Sequence, residues 1–278
     1  MEKTPSAQQE KYIDVKKVIA DKNPGLAKWL PGFAVNYFKR IIHQDEVNDI
    51  MSKIGDKTGL DFIEQGLKEL NTTVQIEGLE NIPKEKGVII ASNHPLGGLD
   101  GIALMYAVGK VRPDIQFLVN DILLNIKNLQ ELFIPVNKVG VNPRKALQII
   151  EDTYAKDVAV LVFPAGLVSR KLPEGIADLE WQKSFIARAK KYKKDVVPVH
   201  IGGRNSNFFY NLSNLRRKLG IKANIEMLYL ADEMFKQQNR TLKIKFGKPI
   251  AYSTFDKSKT LKEWAAEVRD RVYQLPKK

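Results

Sequence analysis

Val88-Ile-Ile-Ala-Ser-Asn-His-Pro-Leu-Gly-Gly-Leu-Asp-Gly101 opens as a strand buried on both faces and then stops abruptly. Asn93-His94 leaves the strand, and Pro95 with Gly97-Gly98 imposes a tight turn. Asp100 then stands as an N-cap where a helix can start. A second stretch, Val158-Ala-Val-Leu-Val-Phe-Pro-Ala-Gly-Leu-Val-Ser-Arg-Lys171, repeats that grammar. An apolar strand runs into Phe163-Pro164-Ala165-Gly166 and then into Ser169, Arg170 and Lys171. Outward from these two, β-rich runs at 73–77, 116–119, 133–136, 196–201, 225–230 and 242–246 alternate with helical stretches at 101–109, 143–155, 180–193, 206–218 and 260–274. The alternation predicts an α/β fold with a central, mostly parallel β-sheet flanked by helices.

Residues 1–72 follow a different pattern. Helices are predicted at 8–20, 26–42, 45–54 and 59–70, interrupted at Asn23-Pro24-Gly25 and bent at Pro31-Gly32. The chain thus divides into an N-terminal helical region, 1–72, and an α/β domain, 73–278. Leu26, Trp29, Leu30, Phe33, Tyr37, Phe38, Ile41 and Ile42 recur at helical spacing, with Lys28, Lys39 and Arg40 among them. Such a face either covers the core or lies in a membrane interface.

The 278 residues are 44% hydrophobic and 28% charged, too apolar for a disordered chain. The absence of cysteine excludes disulfide scaffolds, thiolate zinc sites and cysteine nucleophiles. A net charge of +13, dense over 183–218, draws the chain to anionic lipid, acidic carriers or nucleic acid. Zinc-finger spacing, a basic zipper and RNP-like aromatics are all missing, so nucleic acid is not expected as a partner. No stretch approaches the ~20 apolar residues of a spanning helix, and MEKTPSAQQEKYIDVKK lacks the apolar core of a secretory signal. The expectation is a cytoplasmic protein, peripheral on the inner face of the cell membrane.

Any histidine chemistry must use His43, His94 or His200. The turn after the first strand can bring the Asp100 carboxylate back to the His94 ring. A carboxylate on one ring nitrogen fixes the tautomer and stabilises the imidazolium, and the other nitrogen can then take a proton from an alcohol. No G-x-S-x-G elbow supplies a protein nucleophile, so that alcohol belongs to the substrate. The plain structural alternative makes His94 a turn residue and Asp100 only a cap. In the second stretch, backbone amides about Pro164 and Gly166 can face an anion and Arg170 can grip phosphate or carboxylate, unless the segment is merely a turn with exposed cations. Arg204, following Gly202-Gly203 at a strand end, can help hold an anion. His200 reads as a core or wall histidine, and Trp181 to Phe185 as packing. His43-Gln-Asp-Glu46 offers a single imidazole on a helix, so no metal site is expected. Gly97-Gly98 lacks the third glycine of a dinucleotide fingerprint.

The two stretches resemble the first and third blocks of the PlsC-like glycerolipid acyltransferase superfamily, Asn-His-x4-Asp and Phe-Pro-Glu-Gly-Thr-Arg-Ser. They are more similar still to a hemolysin-like branch that includes lyso-ornithine-lipid and lyso-glycine-lipid O-acyltransferases of bacteria. The resemblance spans roughly residues 70–250, and the N-terminal helices look like the branch's leader. It implies an O-acyltransferase of membrane lipid biosynthesis, taking acyl groups from acyl carrier protein or coenzyme A thioesters to a lyso-lipid hydroxyl at the membrane surface. No cofactor or metal is implied beyond that thioester. His94 then resembles the general base and Asp100 its orienting partner, with Asn93, Gly97 and Gly98 in the same block. Phe163, Pro164, Gly166, Ser169, Arg170 and Lys171 resemble the acceptor-binding block. Asn137 and Lys138 sit where the second block belongs, and Pro198 resembles the residue shaping the acyl-side wall. Backbone amides near Gly97–Gly98 or Gly166 would hold the oxyanion.

Departures from the family pattern bear on the acceptor. Five residues rather than four separate His94 from Asp100, Ala165 and Leu167 replace the third block's Glu and Thr, and its Arg is displaced by two positions. The second block lacks its Arg. Those positions bind a phosphate-bearing acceptor in the family, so an amino-acid lipid headgroup is expected ahead of a lysophospholipid. The other reading of the same scaffold is a non-catalytic lipid- or membrane-binding protein.

Overall fold

The computed structural model describes residues 11–22, 24–120, 123–136 and 143–277. Five helices come first: α1 (Val15–Lys22), α2 (Pro24–Trp29), α3 (Gly32–Ile42), α4 (Gln44–Ile54) and α5 (Gly59–Glu69). The helix expected at 8–20 starts only at Val15, and residues 8–10 lie outside the described part. The single helix expected over 26–42 is two, split at the Pro31-Gly32 bend. His43 closes α3 in the left-handed region, with φ 53°, and Asp45 and Glu46 then complement the dipole at the start of α4.

Strands and helices then alternate. In chain order they are β1 (Thr73–Glu77), β2 (Val88–Ser92), α6 (Gly98–Gly109), β3 (Ile115–Val119), β4 (Phe133–Pro135), α7 (Pro143–Ala155) and β5 (Ala159–Val162). A small hairpin of β6 (Arg170–Leu172) and β7 (Gly175–Ala177) follows, then α8 (Ser184–Tyr192), β8 (Asp195–Ile201), α9 (Asn207–Lys218), α10 (Leu230–Phe235), β9 (Thr241–Phe246) and α11 (Leu261–Gln274). Seven strands form one sheet in the order β1-β9-β8-β2-β5-β3-β4. Every neighbouring pair is parallel except β8 and β9.

β2 lies at the centre, with Ile89 between Val160 and Val196. All of its residues are buried, which is why its sequence is apolar without alternation. Successive side chains enter opposite layers. Ile90 joins Ile63 and Leu67 of α5 and Leu104 and Val108 of α6 on one face. Ile89 joins Tyr154, Phe185, Ile186, Trp264 and Val268 on the other. α11 starts with a capping box, Thr260 Oγ1 accepting from the Glu263 N–H while the Glu263 carboxylate accepts from Thr260.

One expected strand is absent. Residues Ile225–Tyr229 form a 3₁₀ turn leading into α10. Met227, Leu228 and Leu230 give this segment a strand-like composition. Its conformation is set instead by Glu226, wholly buried and ion-paired to Arg170 at 3.1 Å and to Arg216 at 2.8 Å. The β6–β7 hairpin was not anticipated either, because strands so short carry no period.

Candidate active site

β2, β5 and β8 run parallel, so their C-terminal ends open on the same edge of the sheet, where sites form in open α/β folds. Asp100 is wholly buried there. Its Oδ2 accepts three N–H groups: His94 Nδ1 at 3.0 Å, the Leu96 amide at 2.7 Å and the Gly97 amide at 3.0 Å. The helix starts at Gly98 rather than at Asp100, so the carboxylate caps from within the first turn, reaching back over the bend. That bend needs glycine. Gly97 has φ 91° and ψ −130°, and a Cβ there would stand 3.0 Å from Leu230 Cδ2.

Burial pushes the Asp100 carboxyl above the ordinary carboxylate range, against the opposing pull of His94 and the two amides. Its second oxygen, Oδ1, is buried without a partner among the described residues. A carboxylate so poorly solvated gains more than a hydrated one from positive charge arising on the imidazole beside it. The His94 ring stacks on Phe163 with centroids 4.1 Å apart and planes 13° from parallel. The side chain keeps 17% exposure, and its Nε2 makes no hydrogen bond to another described residue. One ring nitrogen is thus tied to a buried acid while the other has no partner among the described residues.

The neighbouring loop is bound to this turn by an aspartate that sequence reasoning overlooked. Asp178 Oδ1 accepts the His94 backbone N–H at 3.2 Å and the Ser169 hydroxyl at 2.5 Å, and Oδ2 accepts Trp181 Nε1 at 2.9 Å. Its own N–H goes to the Tyr273 hydroxyl, and Arg269 donates to its carbonyl, so α11 joins the same knot. The Ser169 N–H adds a bond to the His94 carbonyl at 2.8 Å. No spacing rule marks Asp178; the only sign was an acid beside a tryptophan in a Pro/Gly loop.

Several expected ligand-binding residues are differently employed. Arg170 does not face outward as a grip for an anion. Its guanidinium is buried, paired with Glu226 and donating to the Val168 carbonyl at 2.6 Å. Burial holds its pKa below the usual value against the opposing charge of Glu226. Asn93 spends its amide on β8, donating to the Ile201 carbonyl at 2.9 Å and accepting its N–H at 2.7 Å. Ser169 is consumed by Asp178. Pro198 is buried in mid-strand opposite Ala91, beside Gly247. Of the backbone amides considered for an oxyanion, Gly97 is engaged by Asp100 and Gly166 by the Phe163 carbonyl at 3.0 Å. Gly98, at the open start of α6, has no acceptor among the described residues. Phe163 lies against His94, Pro164 is buried behind it, and Gly166 is exposed at φ 68°. Lys171 and Arg204 are exposed. Asn137 and Lys138 lie outside the described residues.

His43 is held between Glu46 and Asp232 and stacks on Phe235, while burial pushes the half-buried His200 below its ordinary pKa. Among the described residues, no three His, Asp or Glu side chains are grouped to hold a metal ion. A cavity of about 660 Å³ opens at the opposite end of the strands beside Asp114, Glu131 and Val158, away from this turn.

Known proteins share both sequence and shape with the chain. A family model described as "Acyltransferase" matches residues 17–278. The chain is 48% identical over 264 residues to a lyso-glycine lipid O-acyltransferase of Bacteroides thetaiotaomicron, covering 95% of this chain and 97% of that one. It is 46% identical to a protein of the same name from Phocaeicola vulgatus, covering 95% of each. The crystal structure of the 1-acyl-sn-glycerophosphate acyltransferase PlsC from Thermotoga maritima superimposes with a TM-score of 0.50 at 18% identity, covering 95% and 98% of the two chains, which establishes the likeness of fold.

Proposed function

The chain belongs to the acyltransferase family, and from that premise we propose that it moves a fatty acyl group from an acyl thioester to the hydroxyl of a lyso-glycine lipid. The observation that carries the chemistry is the His94–Asp100 pair, 3.0 Å apart at the C-terminal edge of the sheet, with Nε2 unclaimed by any described residue. His94 Nε2 takes the proton of the acceptor hydroxyl, and the buried Asp100 charge stabilises the imidazolium that forms. The oxygen bonds to the thioester carbonyl carbon, giving a tetrahedral oxyanion that the Gly98 N–H at the start of α6 can receive. Collapse breaks the carbon–sulfur bond. The departing thiolate recovers the proton from His94, leaving an ester, a thiol and the enzyme unchanged.

The acceptor arrives in a membrane, and one face of the molecule suits that surface. Trp29 and Phe33 are 88% and 77% exposed, with Lys28 beside them and Arg40 over the Tyr37 ring. The Tyr37 hydroxyl meets that of Tyr229 at 2.5 Å, and Tyr229 packs edge-on against the exposed Phe208. Among the described residues no helix is long and apolar enough to cross a membrane. Aromatic rings interleaved with cations favour interfacial binding at the inner leaflet.

The test is incubation of the purified protein with labelled acyl thioesters and lyso-lipids bearing glycine, ornithine and phosphate headgroups. Transfer to the glycine lipid is the expected result. No transfer to any lyso-lipid would refute the proposal.

A further inference from the structure

A cavity of about 260 Å³ opens beyond the C-terminal end of β8, close behind the His94–Asp100 turn. Leu99, the neighbour of Asp100 in the chain, lines it. Gly203 at its rim stands against Leu96, the residue whose amide is donated to Asp100. Arg204, Arg240 and Lys243 line the same hollow, and among the described residues no carboxylate does. Arg204 donates to the Asn207 amide oxygen at 2.6 Å rather than to an acid. Arg240 and Lys243 form no ion pair with another described residue, whereas Lys245, two positions along β9, is paired with Glu77.

The wall is built as well as charged. Thr72 and Gln237 both line it and are each only 8% exposed. The Thr72 hydroxyl is within 3.4 Å of the Gln237 carbonyl, and the Gln237 side-chain amide has no hydrogen-bond partner among the described residues. Three cations without an ion-pair partner among the described residues, with the buried Gln237 amide beside them, make a donor set for an oxyanion. The volume is below the roughly 300–1,000 Å³ of pockets that enclose a whole ligand. The cavity therefore suits a charged group whose molecule continues outside it.

Both thioester carriers considered for this reaction hold their acyl group on a pantetheine arm joined through a phosphate. We propose that the cavity is the phosphate subsite of the acyl donor, gripping the phosphopantetheine phosphate while the arm delivers the thioester to His94. This rests on the acyl-transfer reading above. A glycine-headgroup carboxylate carries a like charge, and acceptor KM distinguishes the two.

The experiment measures donor KM for the wild type and for Arg240→Ala/Lys243→Ala, with melting temperature confirming the fold. Three donors carry the same acyl chain: acyl coenzyme A, acyl carrier protein loaded with it, and its N-acetylcysteamine thioester, which has no phosphate. KM for both phosphate-bearing donors should rise about tenfold or more, as expected for lost charge-assisted contacts, with kcat and acceptor KM little changed. The phosphate-free thioester should be used equally by both proteins. Unchanged donor KM, a rise confined to one carrier, or a rise in acceptor KM instead would overturn the subsite. Phosphopantetheine binding by calorimetry, present in the wild type and lost in the variant, separates failure of the subsite from failure of the acyl-transfer reading. Absence of such binding to the wild type overturns the subsite even where acyl transfer is observed.

Discussion

The turns after β2 and β5 are alike in sequence: apolar strand, proline, glycine, then a charged residue. They differ in what the inward-turned charge meets. After β2 the acid turns inward and holds an imidazole whose far nitrogen stays open. After β5 the arginine turns inward onto Glu226, and the serine is spent on Asp178. One turn displays a titratable group, while the other holds it in place, Phe163 under the ring and Ser169 on the His94 carbonyl. Similar turn grammar at one sheet edge thus leaves an imidazole edge open in one case and supplies support in the other. The discriminating factor is whether the partner of the charged side chain is itself closed off: Glu226 is wholly buried, whereas His94 keeps an open edge.

That contrast can be broken from either side. The largest effect belongs to the first turn. Asp100→Asn should lower kcat by about 10²–10⁴-fold, and in a His94→Ala background it should lower kcat little further, because the two act as a unit. The same substitution has a signed effect on stability. Burial raises the Asp100 pKa, so the native state binds that proton more tightly than the unfolded chain does. The resulting stability is fully present below the ordinary carboxylate pKa and is lost as pH rises through the raised value. Melting temperatures across pH should therefore show Asp100→Asn gaining on the wild type as pH increases.

The second turn should respond in stability rather than chemistry. Arg170→Met leaves Glu226 buried with Arg216 as its remaining cation among the described residues and should destabilise by about 3 kcal/mol in denaturant titration, while acceptor KM stays near that of the wild type. A large rise in acceptor KM with unchanged stability would return Arg170 to substrate binding. Asp178→Asn keeps the shape but sets an amide N–H₂ against the Trp181 N–H or the Ser169 hydroxyl. A loss of about 1–3 kcal/mol is expected, with a smaller loss of kcat than at Asp100. The smallest effect is at Gly166, where φ 68° makes Ala unfavourable by about 1 kcal/mol and open space meets its Cβ.

The mostly parallel sheet was legible because β2 and β5 are apolar runs, and β8 nearly so, each bounded by turn residues. The meeting of His94 and Asp100 was legible because proline and two glycines leave few ways to close that bend. The fate of Arg170 was not, since its partner lies 56 residues later in a segment whose Met and Leu content suggests a strand. Asp178 likewise acts through contacts distant in sequence, to residues 94 and 273, and leaves no periodic trace. The cations at 204 and 240–243 come together only because β9 runs antiparallel beside β8, a pairing that local pattern does not encode.

The most direct test of the account is single-turnover transfer of a labelled acyl group to lyso-glycine lipid by His94→Ala, in protein whose circular dichroism and melting match the wild type. With the outward ring nitrogen gone, transfer should fall by about 10²–10⁴-fold. Transfer at the wild-type rate by that folded variant would contradict the assignment of His94 as the base.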